Sequence, residues 1–267
     1  MAGRTKGVPR RDHRRADHRA ARPGSACLPV RARSRSSETE IARRLVATPG
    51  GRYSRELGID LDTGGGGVDQ WFCAATLFGT RITAATAVRT YAALSAAGVR
   101  TVQDAGERSW DDLVGLLDAG GYVRYDFRTA TRLQLLADEV RTRFGGSVES
   151  LATVTDARVL ETALDSLPGW GPTTVRIFLR ELRDVWPGAQ PPLDERALRA
   201  ARHLKFPISR RRGDQIDALR AVAHDARRDV RDLETSLIRL TLAHRDMRTC
   251  PGNAQCRKLG SPDAGSY

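Results

Sequence analysis

The eight residues Leu167-Pro168-Gly169-Trp170-Gly171-Pro172-Thr173-Thr174 restrict the fold more than any other part of this chain. Before them, Leu160, Ala163, Leu164 and Leu167 recur at three- and four-residue spacing, which marks one apolar helix face. After them, Val175, Phe178, Leu179, Leu182, Val185 and Trp186 repeat the pattern over a longer helix. Pro168 ends the first helix, because it lacks an amide hydrogen and biases Leu167 away from helical angles. Gly169 and Gly171 admit backbone angles that side chains forbid, and Pro172 suits the first position of a new helix. The stretch from Val159 to Trp186 therefore predicts two helices joined by a tight turn.

Such a turn has two chemical readings. The first amides of the second helix lack intrahelical partners and carry the positive end of its dipole. With bare backbone beside them, a phosphate oxygen can approach the amides around Gly169, Gly171 and Thr173. Equally, the glycines can simply ease the packing of an ordinary helix pair.

The remainder of the chain reads as helix. Glu40–Ala47 predicts a short helix and Gly64–Gly67 a flexible connection, since Val68-Asp69 follows it in place of the Lys-Ser/Thr of a nucleotide loop. From Asp69 an apolar helix runs to Phe78, breaks at Gly79-Thr80-Arg81-Ile82, and is followed by another from Thr83 to Gly98. Ser109 is placed to cap a helix over Trp110–Asp118. Ala130, Leu133, Leu136, Ala137, Val140 and Phe144 form the stripe of a long helix stopped at Gly145-Gly146. Asp194 precedes a helix through Leu198 and Leu204, and two more helices follow over Asp214–His224 and Val230–His244. No alternating strand pattern and no internal repeat is present. The expected fold is all-α.

Charge adds a qualified pointer. The chain carries a net +12, which favours a polyanionic partner, yet residues 1–58 hold 15 Arg/Lys against 5 Asp/Glu and so account for ten of those charges. Met1 to about Glu38 has little to bury and reads as a disordered basic tail, whether a DNA-binding arm, a targeting segment or a misassigned start. The rest is nearly balanced, so its affinity for an anion must come from a local patch. Only Lys6, Lys205 and Lys258 are lysines, and arginine cannot be deprotonated to act as an amine nucleophile. Cys27, Cys73, Cys250 and Cys256 do not make a disulfide framework, and no apolar run is long enough to span a membrane. A soluble, cytoplasmic monomer is the expectation.

Leu-Pro-Gly-Trp-Gly-Pro-Thr-Thr-Val resembles the hairpin of the helix-hairpin-helix DNA glycosylase superfamily, in particular its endonuclease III-like members. The resemblance extends over roughly Asp69 to Leu204 and includes Trp186-Pro187-Gly188-Ala189-Gln190-Pro191-Pro192-Leu193-Asp194, where that family has a Gly/Pro-containing segment before a catalytic aspartate. It implies two helical lobes: a contiguous one over 81–193 carrying the hairpin 159–186, and a discontinuous one built from 39–80 with 194–267. It also implies a double-stranded DNA partner, phosphate contacts at Gly169, Gly171 and Thr173, and Arg81 at or beside the place where the family has a side chain that fills the gap left by an extruded base. Tyr122 and Tyr125 are candidates for a base pocket, although buried packing is the commoner fate of a tyrosine. Asp194 becomes the catalytic carboxylate, although an aspartate there can also do no more than cap its helix. Asp184 reads as a solvated residue.

Two departures narrow the expected chemistry. Bifunctional relatives carry a lysine in the hairpin's second helix where this chain has Thr173, so a Schiff-base lyase has no nucleophile here. Many relatives bind a [4Fe–4S] cluster through four C-terminal cysteines, whereas only Cys250 and Cys256 occur here, and a cluster needs four thiolates. No cofactor and no metal is therefore expected; a zinc site using His244 and another ligand has little support from spacing, and His203 reads as a helix-face residue. The reading is a monofunctional glycosylase that excises a damaged or mispaired base, associated with the nucleoid if the source is bacterial. Its rival is a helix-hairpin-helix protein that binds DNA without catalysis.

Overall fold

The computed structural model describes residues 30–244, Met247 and Cys250, with side chains from Ser37 onward. Among these residues every regular element is helical, so the fold is all-α. In chain order the helices are α1 (Val30–Ala47), α2 (Tyr53–Glu56), α3 (Gly67–Phe78), α4 (Ala84–Ala96), α5 (Val102–Gly106), α6 (Trp110–Ala119), α7 (Asp126–Phe144), α8 (Ala157–Asp165), α9 (Pro172–Glu181), α10 (Glu195–His203), α11 (Gln215–Asp225) and α12 (Val230–Ala243). Short 3-10 turns lie at Val148–Thr153 and Arg212–Asp214. No helix of the described residues is long and apolar enough to cross a membrane.

Local chemistry explains where these helices begin. The side chains of Thr83, Thr101, Ser109, Asp156, Asp194 and Asp229 each accept an amide hydrogen at the head of their own helix. Thr101 and Asp104 complete a reciprocal capping box. At the far end of α7, Gly145 takes the left-handed conformation with φ 66°, which lets the chain leave the helix without a Cβ clash.

Two apolar cores form. The larger surrounds α3, which is buried on most of its surface and polar only at Asp69, Gln70 and Thr76. Phe72 stacks on Trp170 with ring centroids 4.4 Å apart, and Phe178 meets Phe72, Trp170 and Trp186 edge-on. The indole nitrogens are satisfied: Trp71 donates to the Phe178 carbonyl at 3.2 Å and Trp170 to Thr76 Oγ1 at 3.1 Å. The smaller core combines Ile41 and Leu45 of α1 with Leu193 and the apolar faces of α10, α11 and α12. Tyr53 to Leu77 thus pack in the larger core, whereas the boundaries drawn from sequence set 39–80 with the C-terminal helices. The reason is that Trp71 and Phe72 have their partners on the α9 side of the molecule.

Between the cores runs a seam of buried charge. Arg52, only 3% exposed, meets Asp232 at 3.2 Å, and Arg55 meets the other oxygen of Asp232 at 2.7 Å. Arg231 reaches both Asp62 (2.7 Å) and Asp229 (2.6 Å). Glu181 accepts the Tyr53 and Ser54 amides, each at 2.9 Å. Arg183 is held by Glu234 at 3.0 Å and by the Pro191 carbonyl at 2.8 Å. Burial works against the Asp229 carboxylate, but the Arg231 and Arg52 guanidiniums outweigh it and hold its pKa below the ordinary range.

Two sequence expectations change here. Val30–Glu38, assigned to the tail, opens α1, while residues 1–29 lie outside the described set. The helix expected to reach Trp186 ends at Glu181; Asp184 then adopts φ 65°, and the turn still returns Trp186 to the core. Asp184 is exposed as expected and is also paired, with Arg220 at 2.6 Å.

Candidate functional site

α8 and α9 are joined through Ser166–Gly171, and the turn is shaped by two glycines in different ways. Gly169 has φ 72°, and a Cβ on it would come within 2.0 Å of Arg132 Nε. It is therefore required both by backbone angle and by space. Gly171 is extended, caps α9 without any side-chain hydrogen bond, and would project a Cβ into open space. Pro172 begins α9 directly after it. The head of the helix is thus left with amides that no side chain satisfies, with the Arg132 guanidinium beside the turn. Burial lowers the Arg132 pKa from its usual value.

The turn between α3 and α4 docks on α9 at close range. A Cβ on Gly79 would lie 2.0 Å from Thr174 Oγ1, so only glycine lets these segments approach as they do. That approach sets Thr80 and Arg81 beside Thr173 at the mouth of a cleft of about 680 Å³.

The cleft joins residues far apart in sequence. Arg81 comes from the α3–α4 turn, Thr173, Arg176 and Arg180 from one face of α9, and Asp194, Arg196 and Arg199 from the start of α10, with Arg212 across from them. Tyr53 and Phe78 supply aromatic surface, their ring centroids 4.7 Å apart. Burial raises the Tyr53 pKa, while Arg239, stacked 3.8 Å over its ring, opposes that rise. Six arginines face two carboxylates, Asp194 and Glu195, and none of the six makes an ion pair among the described residues. Arg180 stands out further, being 5% exposed with a buried Nε that has no hydrogen-bond partner. A charge so placed is costly unless a counter-charge arrives.

Asp194 is half-exposed at the N-cap of α10. Its Oδ1 accepts the Arg196 amide at 2.7 Å, and no described residue bonds Oδ2. Its backbone amide donates to Glu234 Oε1 at 3.2 Å, while the other oxygen of Glu234 holds Arg183. A buried bridge therefore connects the chain just beyond α9 to the residue that presents its carboxylate to the cleft.

Of the residues singled out from sequence, Asp194, Arg81 and Thr173 share this cleft. Gly169 and Gly171 do not line it; they lie at the turn next to the head of α9. Tyr122 and Tyr125 do not line it either. Tyr122 is buried and donates its hydroxyl to the Leu77 carbonyl at 2.9 Å, while Tyr125 packs edge-on against it. Tyr122 serves packing, and the aromatic surface of the cleft comes from Tyr53 and Phe78. Cys73 is buried in α3, its thiol pushed up to about 12 by desolvation. Cys250 is buried as well, and Cys27 and Cys256 lie outside the described residues.

Sequence reading missed Arg176 and Arg180, although a signal existed. Thr173, Arg176 and Arg180 recur at three and four residues and so define a polar face beginning at the bare amides. No protein-family profile matches this chain, and no curated protein matches it.

Proposed function

We propose that the chain is a DNA base-excision glycosylase of the helix-hairpin-helix, endonuclease III-like type, acting without strand cleavage. The observation that carries this reading is the meeting of Asp194, Arg81 and Thr173 in one arginine-rich cleft beside the capless head of α9. Backbone phosphate would be held by the amides around Gly171 and Thr173 and by Arg132 and Arg176. Arg81, exposed on the α3–α4 turn, would enter the duplex as the base leaves it, and the base would occupy the space between Tyr53 and α10.

Cleavage of the N-glycosidic bond builds positive charge on the sugar. The Oδ2 atom of Asp194 would stabilise that charge or take a proton from the attacking water, while Oδ1 accepts the Arg196 amide. Arg180 would donate to an acceptor atom on the extruded base or to phosphate, supplying the partner its Nε lacks. The one lysine of the described residues, Lys205, does not line the cleft, which agrees with a hydrolytic mechanism.

The test is single-turnover excision across duplexes containing oxidised, deaminated, alkylated or mispaired bases. The native chain should produce abasic sites from at least one of them. Asp194→Asn keeps an oxygen able to cap α10, so it should fold, bind the same duplex, and lose activity by about a hundred-fold or more. If no duplex reacts while both proteins bind DNA with equal affinity, the non-catalytic binding reading replaces this one.

A further inference from the structure

Away from the cleft, the far ends of α10 and α12 bring together three groups that the proposed reaction does not use. His203 closes α10, His244 follows α12, and Cys250 comes six residues later. One ligand atom from each lies within 4.8 Å of the other two. The two imidazoles approach at 5.7 Å between centroids with planes inclined by 63°, so the rings meet at an angle and do not stack flat. His244 and Cys250 are buried, and His203 is half-exposed.

From this arrangement we infer a zinc site held by His203, His244 and Cys250, with its fourth position open to water on the His203 side. The first ground is tautomeric. His244 Nδ1 lies 2.7 Å from the Leu240 carbonyl oxygen, which can only accept, so the proton sits on Nδ1 and the lone pair of Nε2 faces away from that bond. An outer hydrogen bond to a carbonyl is how metal-binding imidazoles are oriented. The second ground is distance. Zinc at about 2.0–2.3 Å from nitrogen and sulfur places tetrahedral ligand atoms roughly 3.3–3.8 Å apart, so atoms already within 4.8 Å need only draw in by about an ångström. The third ground is ligand chemistry: two imidazoles and one thiolate suit a borderline-soft divalent ion, while one thiol cannot hold an iron–sulfur cluster. On binding, Cys250 forms a sulfur–zinc bond and releases its proton to solvent; no electron is transferred.

The site has a mechanical consequence. Glu234 holds the start of α10 at the Asp194 amide, and zinc would hold its end, tying the helix to α12 at both ends.

The full-length chain, purified without chelator and dialysed against trace zinc, should contain close to one zinc per molecule by elemental analysis. Cobalt added to the stripped protein should give the intense visible bands of four-coordinate cobalt together with a thiolate charge-transfer band. Removal of zinc should lower Tm by about 10 °C. Cys250→Ser and His203→Asn should each reduce bound zinc at least ten-fold, whereas the exposed His224→Asn should retain it. Less than a tenth of an equivalent of zinc with no cobalt spectrum overturns the inference, as does full zinc occupancy in Cys250→Ser. Stoichiometric copper with a deep blue colour would overturn the assignment to zinc. None of these measurements involves DNA, so their failure leaves the glycosylase proposal where it stands.

Discussion

The cleft and the seam are both lined with arginine but differ in what balances the charge. In the seam, Arg52, Arg55, Arg183 and Arg231 each meet a carboxylate. In the cleft, six arginines stand over two acids without an ion pair among the described residues. Arg180 and Arg183 give the contrast at closest range. Both are buried, three residues apart, and each has an Nε without a hydrogen-bond partner, yet the terminal nitrogens of Arg183 meet Glu234 and the Pro191 carbonyl while Arg180 has no ion pair among the described residues. Charge compensated by packed acids joins the two cores, whereas the cleft arginines carry no such partner among the described residues, and on the proposed function an anion would supply it.

The largest effect expected from this contrast comes from the seam. Glu234→Ala leaves Arg183 buried without its counter-charge and releases the Asp194 amide, at a cost of about 3–5 kcal/mol. Thermal unfolding should show Tm lower by roughly 10 °C. A midpoint unchanged within a degree or two would mean that the seam is not structural. Next, Gly79→Ala should cost about 1–3 kcal/mol through its clash with Thr174, measured by denaturant unfolding, and Thr174→Ala in the same chain should recover most of the loss.

Arg180→Met sharpens the comparison from the other side. It should leave stability unchanged or slightly higher, yet weaken binding to a short duplex several-fold and reduce the salt-dependence slope by up to about one. If it destabilises the fold as Glu234→Ala does, the distinction between the two regions fails. The smallest effect concerns pH. Burial opposes ionisation of Asp229 and Asp62, but neighbouring arginines hold both below the ordinary carboxylate range. Their contribution is fully present above the unfolded value near pH 4 and is lost as pH falls through the folded value. Tm should accordingly be flat from about pH 5 to 8 and fall below about pH 4, with a shallower fall in Asp229→Asn.

Much of the helical framework was legible because its signals are local. Ser109, Thr83 and Asp194 announce helix starts through side chains that reach their own backbone, and the α7 stripe needs only a period of 3.6. Asp194 could be singled out only through the resemblance of its Pro/Gly segment and the preceding Pro-Gly-Trp-Gly-Pro turn to a known family, since by itself the sequence marks it only as a helix cap. Arg180 could not be valued in the same way, since an arginine on a polar helix face is ordinary until its burial and lack of a partner are known. His203 and Cys250 are 47 positions apart, so no spacing rule connects them. Tyr122 was left between a pocket and the core for a related reason: a tyrosine's sequence surroundings do not reveal whether its hydroxyl meets a carbonyl or a ligand.

By itself, the order of residues determined that this chain is helical, where most helices begin and stop, and that the turn after Pro168 leaves bare amides at the head of α9. These follow from angles and hydrogen bonds that operate over a few residues. Only the tertiary structure decided which arginines are neutralised, which core receives α3, and which distant side chains share a cleft or a cluster. Coulombic balance and close packing depend on distance in space, and the chain sets that distance only when the helices have packed.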